Sequence, residues 1–355
     1  MTSAESPPND VSRDGALLAA AAPVRALPDL IELVIDLTRM ERQPTYWSGG
    51  RSGWQELDGD IAAVLGCPAI RLKGLGIAPH DGRAGMAPSA QVYDRWPGQA
   101  PDPHLGIGED LEFCLRNSTP TPEGGLRSSA ALIEFEASTS LSRSGVAAPV
   151  PVMVIAHASG ANFAGERLAV SVTGLPLNRD ARADILLRDP DPGLLSAEMV
   201  RLTDALEVPG LTGNLSPHDR LTLLRACYQS FGQSLAAFSR AGWFRYSGHA
   251  GNILIDPGGR AVMVDLDSCR TADSSLTGSV FAMETIRDGM SGLYNLACSF
   301  FPATAMSIFP DDDLLANEPF SGFIAGWLQT GNGDQSLLPQ DVLERTGLTI
   351  AAYVI

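Results

Sequence analysis

An amide and a carboxylate stand at the two ends of one short segment. Asn252 immediately precedes the apolar run Ile253 to Ile255, and Asp265 immediately follows the apolar run Ala261 to Val264. Between the runs lies Asp256-Pro257-Gly258-Gly259, a turn signal in which glycine supplies positive φ. The segment reads as a hairpin, and antiparallel pairing brings its two ends to one edge. Asn252 and Asp265 then offer hard oxygen donors to a cation such as Mg²⁺, which takes one or two protein side chains and leaves its other positions to phosphate oxygens and water. A further candidate comes from composition. Of the 25 lysines and arginines, a single residue, Lys73, is a lysine. A compact ammonium with three donors suits a close phosphate contact in a way that the wide guanidinium fork does not. Lys73 ends the strand-like run Ala69-Ile70-Arg71-Leu72-Lys73, and Glu134, on a later helix, supplies an ion-pair partner for it.

The elements that must position these residues follow from periodicity. Residues 1–26, small and polar and then rich in alanine, are expected to form a disordered or flexible leader. Pro28 to Glu41 is expected to be a helix, with Leu30, Leu33, Val34 and Leu37 on one stripe. A glycine-rich stretch from Ser48 to Trp54 follows, in which Gly50 and Gly53 are candidates for close backbone approach to a nucleotide. Residues 77–124, dense in Gly, Pro and His, read as a long irregular insertion. Ser128 to Ser144 is predicted to be a helix carrying Glu134 and stopped by Gly145, with strands at Val150 to Ala156 and Arg167 to Thr173. A polar segment with Arg179, Arg182 and Arg188 leads into mainly helical sequence from Leu194 to Ser239. Beyond the hairpin, residues 276–355 are helical in pattern, interrupted by Pro302, Pro310 and Pro319.

Composition excludes several function classes. The chain has 355 residues, 45% of them hydrophobic and 19% charged, which suits one large globular domain or two ordinary ones. Its net charge of −16 gives no attraction for nucleic acid or anionic lipid, so neither is expected as a partner. No apolar stretch approaches the roughly 18 residues that span a bilayer, and a cytoplasmic protein is expected. The five cysteines are scattered, with no pair at metal-ligand or redox-motif spacing, and read as reduced core residues. The five histidines form no zinc-ligand pattern.

In protein kinases, a catalytic-loop Asn and the Asp after the next hairpin hold the metal, while a strand Lys pairs with a helix Glu. Lys73, Glu134, Asn252 and Asp265 follow one another along this chain in the order of those kinase residues. The chain resembles this kinase-like superfamily, and more closely its selenoprotein O (YdiU) branch. Leu72-Lys73-Gly74-Leu75-Gly76 is similar to that family's Leu-Lys-Gly-Ala-Gly segment. Leu126-Arg127-Ser128-Ser129 and Ile133-Glu134-Phe135 resemble its Leu-Arg-Ser-Ser and Arg-Glu-Phe helix start. The resemblance implies an α+β fold of two protein-kinase-like lobes: a small β-rich N-lobe over residues 27–160 and a larger, mostly helical C-lobe over 161–355. It also implies ATP and Mg²⁺ (or Mn²⁺) as cofactors, Arg179 and Arg188 as phosphate ligands, and AMP transfer to a hydroxyl on a protein or peptide. Two departures bear on the chemistry. A kinase's proton-accepting Asp would fall at Ser247, and the Asp that selenoprotein O places just before its metal-binding Asn is Gly251. His249 and Asp267 are the nearby candidates for a base. Two other readings stay open: a kinase-like phosphotransferase acting on a small molecule or peptide, and a nucleotide-binding pseudokinase scaffold.

Overall fold

The computed structural model describes residues 16–48, 50–79, 84–89, 91, 103–107, 113–117, 121–177, 181–188, 190–209, 211, 216–244, 250–271 and 312–330. In chain order the elements are β1 (Leu17–Ala20), α1 (Pro28–Thr38), β2 (Tyr46–Ser48), β3 (Ser52–Glu56), α2 (Gly59–Leu65), β4 (Ala69–Lys73), β5 (Pro103–Ile107) and β6 (Phe113–Asn117). Then come α3 (Ser128–Arg143), β7 (Val150–Ala156), β8 (Asn162–Phe163), β9 (Glu166–Arg167), β10 (Ala169–Leu175), α4 (Pro192–Ala205) and α5 (Pro217–Arg240). The last are β11 (Trp243–Phe244), β12 (Ile253–Ile255), β13 (Ala261–Met263), β14 (Arg270–Thr271) and α6 (Asp312–Gln329). The chain divides into two compact units: residues 1–93, 121–135 and 151–174 in the first, and 94–120, 136–150 and 175–355 in the second. This is an α+β chain with one β-rich and one mostly helical unit.

The first unit is built on a six-stranded sheet in the order β1-β7-β10-β4-β3-β2; β1, which falls in the expected leader, is ordered instead, because the run Leu17–Ala20 pairs with β7 and Val24 just after it is buried. Its strands alternate. Ile70 and Leu72 of β4, with Val170 and Val172 of β10, join the core formed with Leu30, Val34 and Leu37 of α1. Full burial of each such side chain contributes about 1.5 to 3 kcal/mol. By the same period of two, Arg71 and Lys73 of β4 and Ser171 and Thr173 of β10 occupy the other face, and all four are buried. Helix α3 covers part of that face, with Ala131 and Phe135 packed against Val154 and Ala169. The start of α3 is held from β9: Glu166 Oε2 accepts the Ser129 N–H at 3.1 Å, and Glu166 Oε1 lies 3.5 Å from Arg127. The Ser129 hydrogen bonds, with Arg127 beside them, hold the Glu166 carboxyl below its usual pKa.

The second unit is organised by α5, whose buried stripe includes Leu224, Tyr228, Phe231, Leu235 and Phe238. Its start is capped by Ser216, whose Oγ accepts the Asp219 N–H at 3.2 Å. Helix α6 lies against it. Cβ atoms added at Gly232 of α5 and Gly322 of α6 would each sit 2.2 Å from a carbonyl oxygen of the opposite helix, so backbone meets backbone. Phe323 is fully buried beside Phe231, with ring centroids 5.6 Å apart. Pro319 lies within α6, where the sequence pattern predicts an interruption. An interior proline costs about 3 kcal/mol in a helix, and burial of this face against α5 overrides that local preference.

Strands β12 and β13 pair antiparallel with Ile253 opposite Met263, Leu254 opposite Val262 and Ile255 opposite Ala261. The Asp256 carboxylate closes the turn, accepting the Gly258 and Arg260 N–H groups at 2.9 Å each and pairing with the Arg260 guanidinium at 2.8 Å. Gly259 has φ +76°, and a Cβ there would sit 2.2 Å from the Ala205 carbonyl oxygen at the end of α4. Ser230 of α5 clamps the same turn, its hydroxyl donating to the Gly259 carbonyl at 2.7 Å and accepting the Ala261 N–H at 2.8 Å. Gly259→Ala is therefore expected to destabilise the chain by about 2 to 4 kcal/mol, from left-handed strain plus displacement of the α4 end. Urea unfolding of the two proteins checks this; a shift under about 0.5 kcal/mol would mean that the turn relaxes freely.

Three cysteines, Cys67, Cys227 and Cys269, are free and buried. Burial pushes the Cys67 thiol up to about 11 and the Cys227 thiol up to about 12, so both stay protonated at neutral pH. Among the described residues no helix is long and apolar enough to cross a membrane.

Candidate functional site

The hairpin brings Asn252 and Asp265, the two candidate oxygen ligands, to the same end of its ladder. The Val264 N–H donates to the Asn252 carbonyl at 3.0 Å, extending the ladder by one rung and setting Asn252 level with the residue before Asp265. Asn252 is buried, and the Asp265 side chain is 24% exposed. Asp265 adopts φ 64° and ψ 52°, a left-handed conformation that is uncommon for a residue with a Cβ. It ends the strand and turns the chain into the short 3₁₀ helix Leu266–Ser268, which contains Asp267. A strained carboxylate at the end of a hairpin is the kind of outlier that collects at ligand sites.

Arg182, which the spacing of residues did not single out, is the side chain that meets this carboxylate. Its guanidinium Nη1 lies 3.7 Å from Asp265 Oδ2 and also donates to the Gly251 carbonyl. Its main chain forms an isolated antiparallel bridge with Leu254, which seats it on the hairpin. Arg188 is placed differently. Its side chain is 46% exposed and pairs with Asp184 one helical turn back at 3.4 Å, while its carbonyl accepts from Arg220 at 3.3 Å. Arg179, Ser247 and His249 lie outside the described residues.

In the first unit, Lys73 and Glu134 are buried, at 2% and 1% exposure, and both engage partners. Lys73 stands on the sheet face that α3 covers, and Glu134 sits on α3 between Ala131 and Phe135, the residues that dock the helix there. An unpaired charge buried this deeply would cost several kcal/mol, so the placement is one for partnered ions. Arg71, two residues before Lys73 on the same face, donates to Ser52 Oγ at 3.2 Å. The alternation of β4 carried that signal.

The glycine-rich loop is held by the chain itself. The Arg51 carbonyl accepts the Gly74 and Leu75 N–H groups at 3.0 and 3.2 Å, and the Gly50 carbonyl accepts the Ala78 N–H at 3.1 Å. A Cβ on Gly53 would meet Leu75 at 2.6 Å and Pro44 at 2.9 Å, so Gly53 serves internal packing, whereas the space beside Gly50 is open.

His157 fixes the backbone just beyond Lys73. Its Nδ1 accepts the Ser159 N–H at 3.1 Å, and its Nε2 therefore carries the proton and donates to the Leu75 carbonyl at 2.9 Å. Burial holds its pKa below the ordinary 6.5, partly opposed by the Leu75 bond. The unfolded chain then binds a proton that the folded chain refuses, so this contribution is fully present above about pH 6.5 and is lost as pH falls below it. His157→Gln is expected to lower the urea midpoint at pH 7.5 and to flatten the fall in midpoint between pH 7 and 5. An unchanged pH slope in the variant would place the acid sensitivity elsewhere.

Among the described residues no group of three or more His, Cys, Asp or Glu side chains could hold a metal by itself. A cation at Asn252 and Asp265 needs a ligand to supply its remaining oxygens, which suits Mg²⁺ with a phosphate compound. No family model matches the chain. No curated protein matches it either. Among solved structures the chain is similar to the ROP18 kinase domain in complex with AMP-PNP and sucrose, at 11% identity and a TM-score of 0.34, covering 94% of each chain. It is also similar to ROP2 from Toxoplasma gondii, described as a virulence factor with a protein-kinase fold and no enzymatic activity. There the identity is 10% and the TM-score 0.28, covering 94% of this chain and 98% of that one.

Proposed function

We propose that the chain is a kinase-like, ATP- and Mg²⁺-dependent transferase of selenoprotein O type that moves AMP onto a hydroxyl of a protein or peptide. The observation that carries the reading is the strained Asp265 carboxylate, set beside Asn252 by the hairpin and the Val264 to Asn252 bond. Lys73, buried on the sheet face that α3 partly covers, and Glu134, buried on α3, support it, as do the segments Leu72 to Gly76 and Leu126 to Ser129. Asn252 and Asp265 hold the cation, which supplies positive charge to the phosphate oxygens. Lys73, Arg179 and Arg188 bind phosphate, and Gly50, with open space beside it, belongs to the loop that approaches the nucleotide. In the transfer the acceptor oxygen bonds to the α phosphorus, the bond to the bridging oxygen breaks, and pyrophosphate leaves with the electron pair. The hydroxyl proton goes to Asp267 or His249. Ser247 stands where a kinase has its proton acceptor, which favours transfer driven by charge stabilisation over transfer driven by a strong base.

Two labels decide. With ATP labelled at the α phosphate, Mg²⁺ or Mn²⁺ and a protein acceptor, covalent label is expected on protein; label arriving only from the γ phosphate would replace the reading with phosphoryl transfer. A second reading, a nucleotide-binding scaffold, is favoured by Arg182, which gives Asp265 a cationic partner without any metal. Nucleotide binding with no transfer from either label would select it.

A further inference from the structure

Resting on the reading of Asn252 and Asp265 as cation ligands, we propose that Arg182 is a resident counter-ion, which holds the charge position at Asp265 until a divalent cation displaces it. One nitrogen, Arg182 Nη1, both donates to the Gly251 carbonyl and lies 3.7 Å from Asp265 Oδ2. The guanidinium thus bridges two oxygens that flank Asn252 in the fold, the region an incoming cation has to enter. The side chains of Arg182 and Asp265 are 16% and 24% exposed, so solvent screens the pair only in part.

Neutralising Asp265 in this way answers a problem of the cation-free state. A carboxylate held in a left-handed backbone conformation and largely withdrawn from water is costly without a positive partner. A divalent ion at the same carboxylate changes the sign of the problem, since guanidinium and cation then repel across a few ångströms. The backbone of Arg182 is fixed to Leu254 by the bridge, so displacement by a cation has to turn only the side chain away from the Gly251 carbonyl and Asp265. Cation binding and release of Arg182 are thereby one event, and the freed guanidinium gains the option of a phosphate contact.

The test uses the purified full chain and Mn²⁺ alone, without nucleotide, reading bound Mn²⁺ by electron paramagnetic resonance and thermal stability in the same samples. Arg182→Gln is expected to bind Mn²⁺ at least tenfold more tightly than wild type, to melt lower without metal, and to regain the difference at saturating Mn²⁺. Asp265→Asn is expected to abolish the binding in either background. Equal or weaker Mn²⁺ binding by Arg182→Gln, with binding still lost in Asp265→Asn, overturns the counter-ion role and leaves the cation site standing. Absence of Mn²⁺ binding in all proteins overturns both. Should Arg182→Gln fail to fold, Arg182→Lys, which keeps a charge but loses the fork, is expected to bind Mn²⁺ at least threefold more tightly than wild type; affinity equal to wild type overturns the proposal.

Discussion

Asp265→Asn is expected to lower ATP-dependent transfer by at least a hundredfold, about 2.7 kcal/mol of transition-state stabilisation, while the fold survives. Asparagine keeps the size and tolerates the left-handed backbone, so the φ of 64° is preserved and only the charge offered to the cation is lost. Asp265→Gly completes the argument from the other side. It also removes the ligand, but relieves backbone strain of about 1 kcal/mol, so the variant is expected to be inactive and no less stable than Asp265→Ala. Transfer assays beside urea unfolding of the three variants separate ligand from strain. Activity retained in Asp265→Asn would move the ligand role to Asp267 or remove the metal from the reaction.

Lys73→Arg carries the second large effect because charge is kept while shape changes. Lys73 is 2% exposed on a sheet face already shared with Arg71, Ser171 and Thr173, and a guanidinium there has to overpack the space between β4 and its neighbours. A stability loss of about 1 to 3 kcal/mol is expected, together with at least a tenfold fall in transfer, about 1.4 kcal/mol. Lys73→Met, nearly matched in volume but without charge, leaves the buried groups that engage the lysine uncompensated and is expected to lose about 3 to 5 kcal/mol of stability and to transfer no better than Lys73→Arg. If Lys73→Arg is as stable and as active as wild type, the lone lysine is an accident of composition.

Much of this was legible in the residue pattern, because it depends on neighbours in sequence. The Asp-Pro-Gly-Gly turn between two apolar runs specifies the hairpin, and its register follows from the turn. The period-two alternation of β4 puts Lys73 on the face opposite Ile70 and Leu72, and the helical spacing after Ser128 places Glu134 on α3. The meeting of Arg182 with Asp265 was not legible, since it depends on the isolated bridge between Arg182 and Leu254, which no local propensity encodes. Nor was the left-handed turn at Asp265, where a residue with a Cβ stands in a conformation that sequence rules assign to glycine. Gly53 misleads in the opposite direction. In sequence it belongs to a loop suited to phosphate, yet the space a side chain would fill is already held by Leu75 and Pro44.

The glycine-lined crossing of α5 and α6 has a mechanical consequence. Where Gly232, Gly322 and Gly326 let backbones touch, no side chain of these residues takes up slack, and close packing passes strain from one helix to the other. Helix α5 in turn grips the β12–β13 turn through the Ser230 hydroxyl. Helix α6 is thus coupled in series with the strands next to Asn252 and Asp265, so that a load applied far along the chain is felt at the two candidate oxygen ligands.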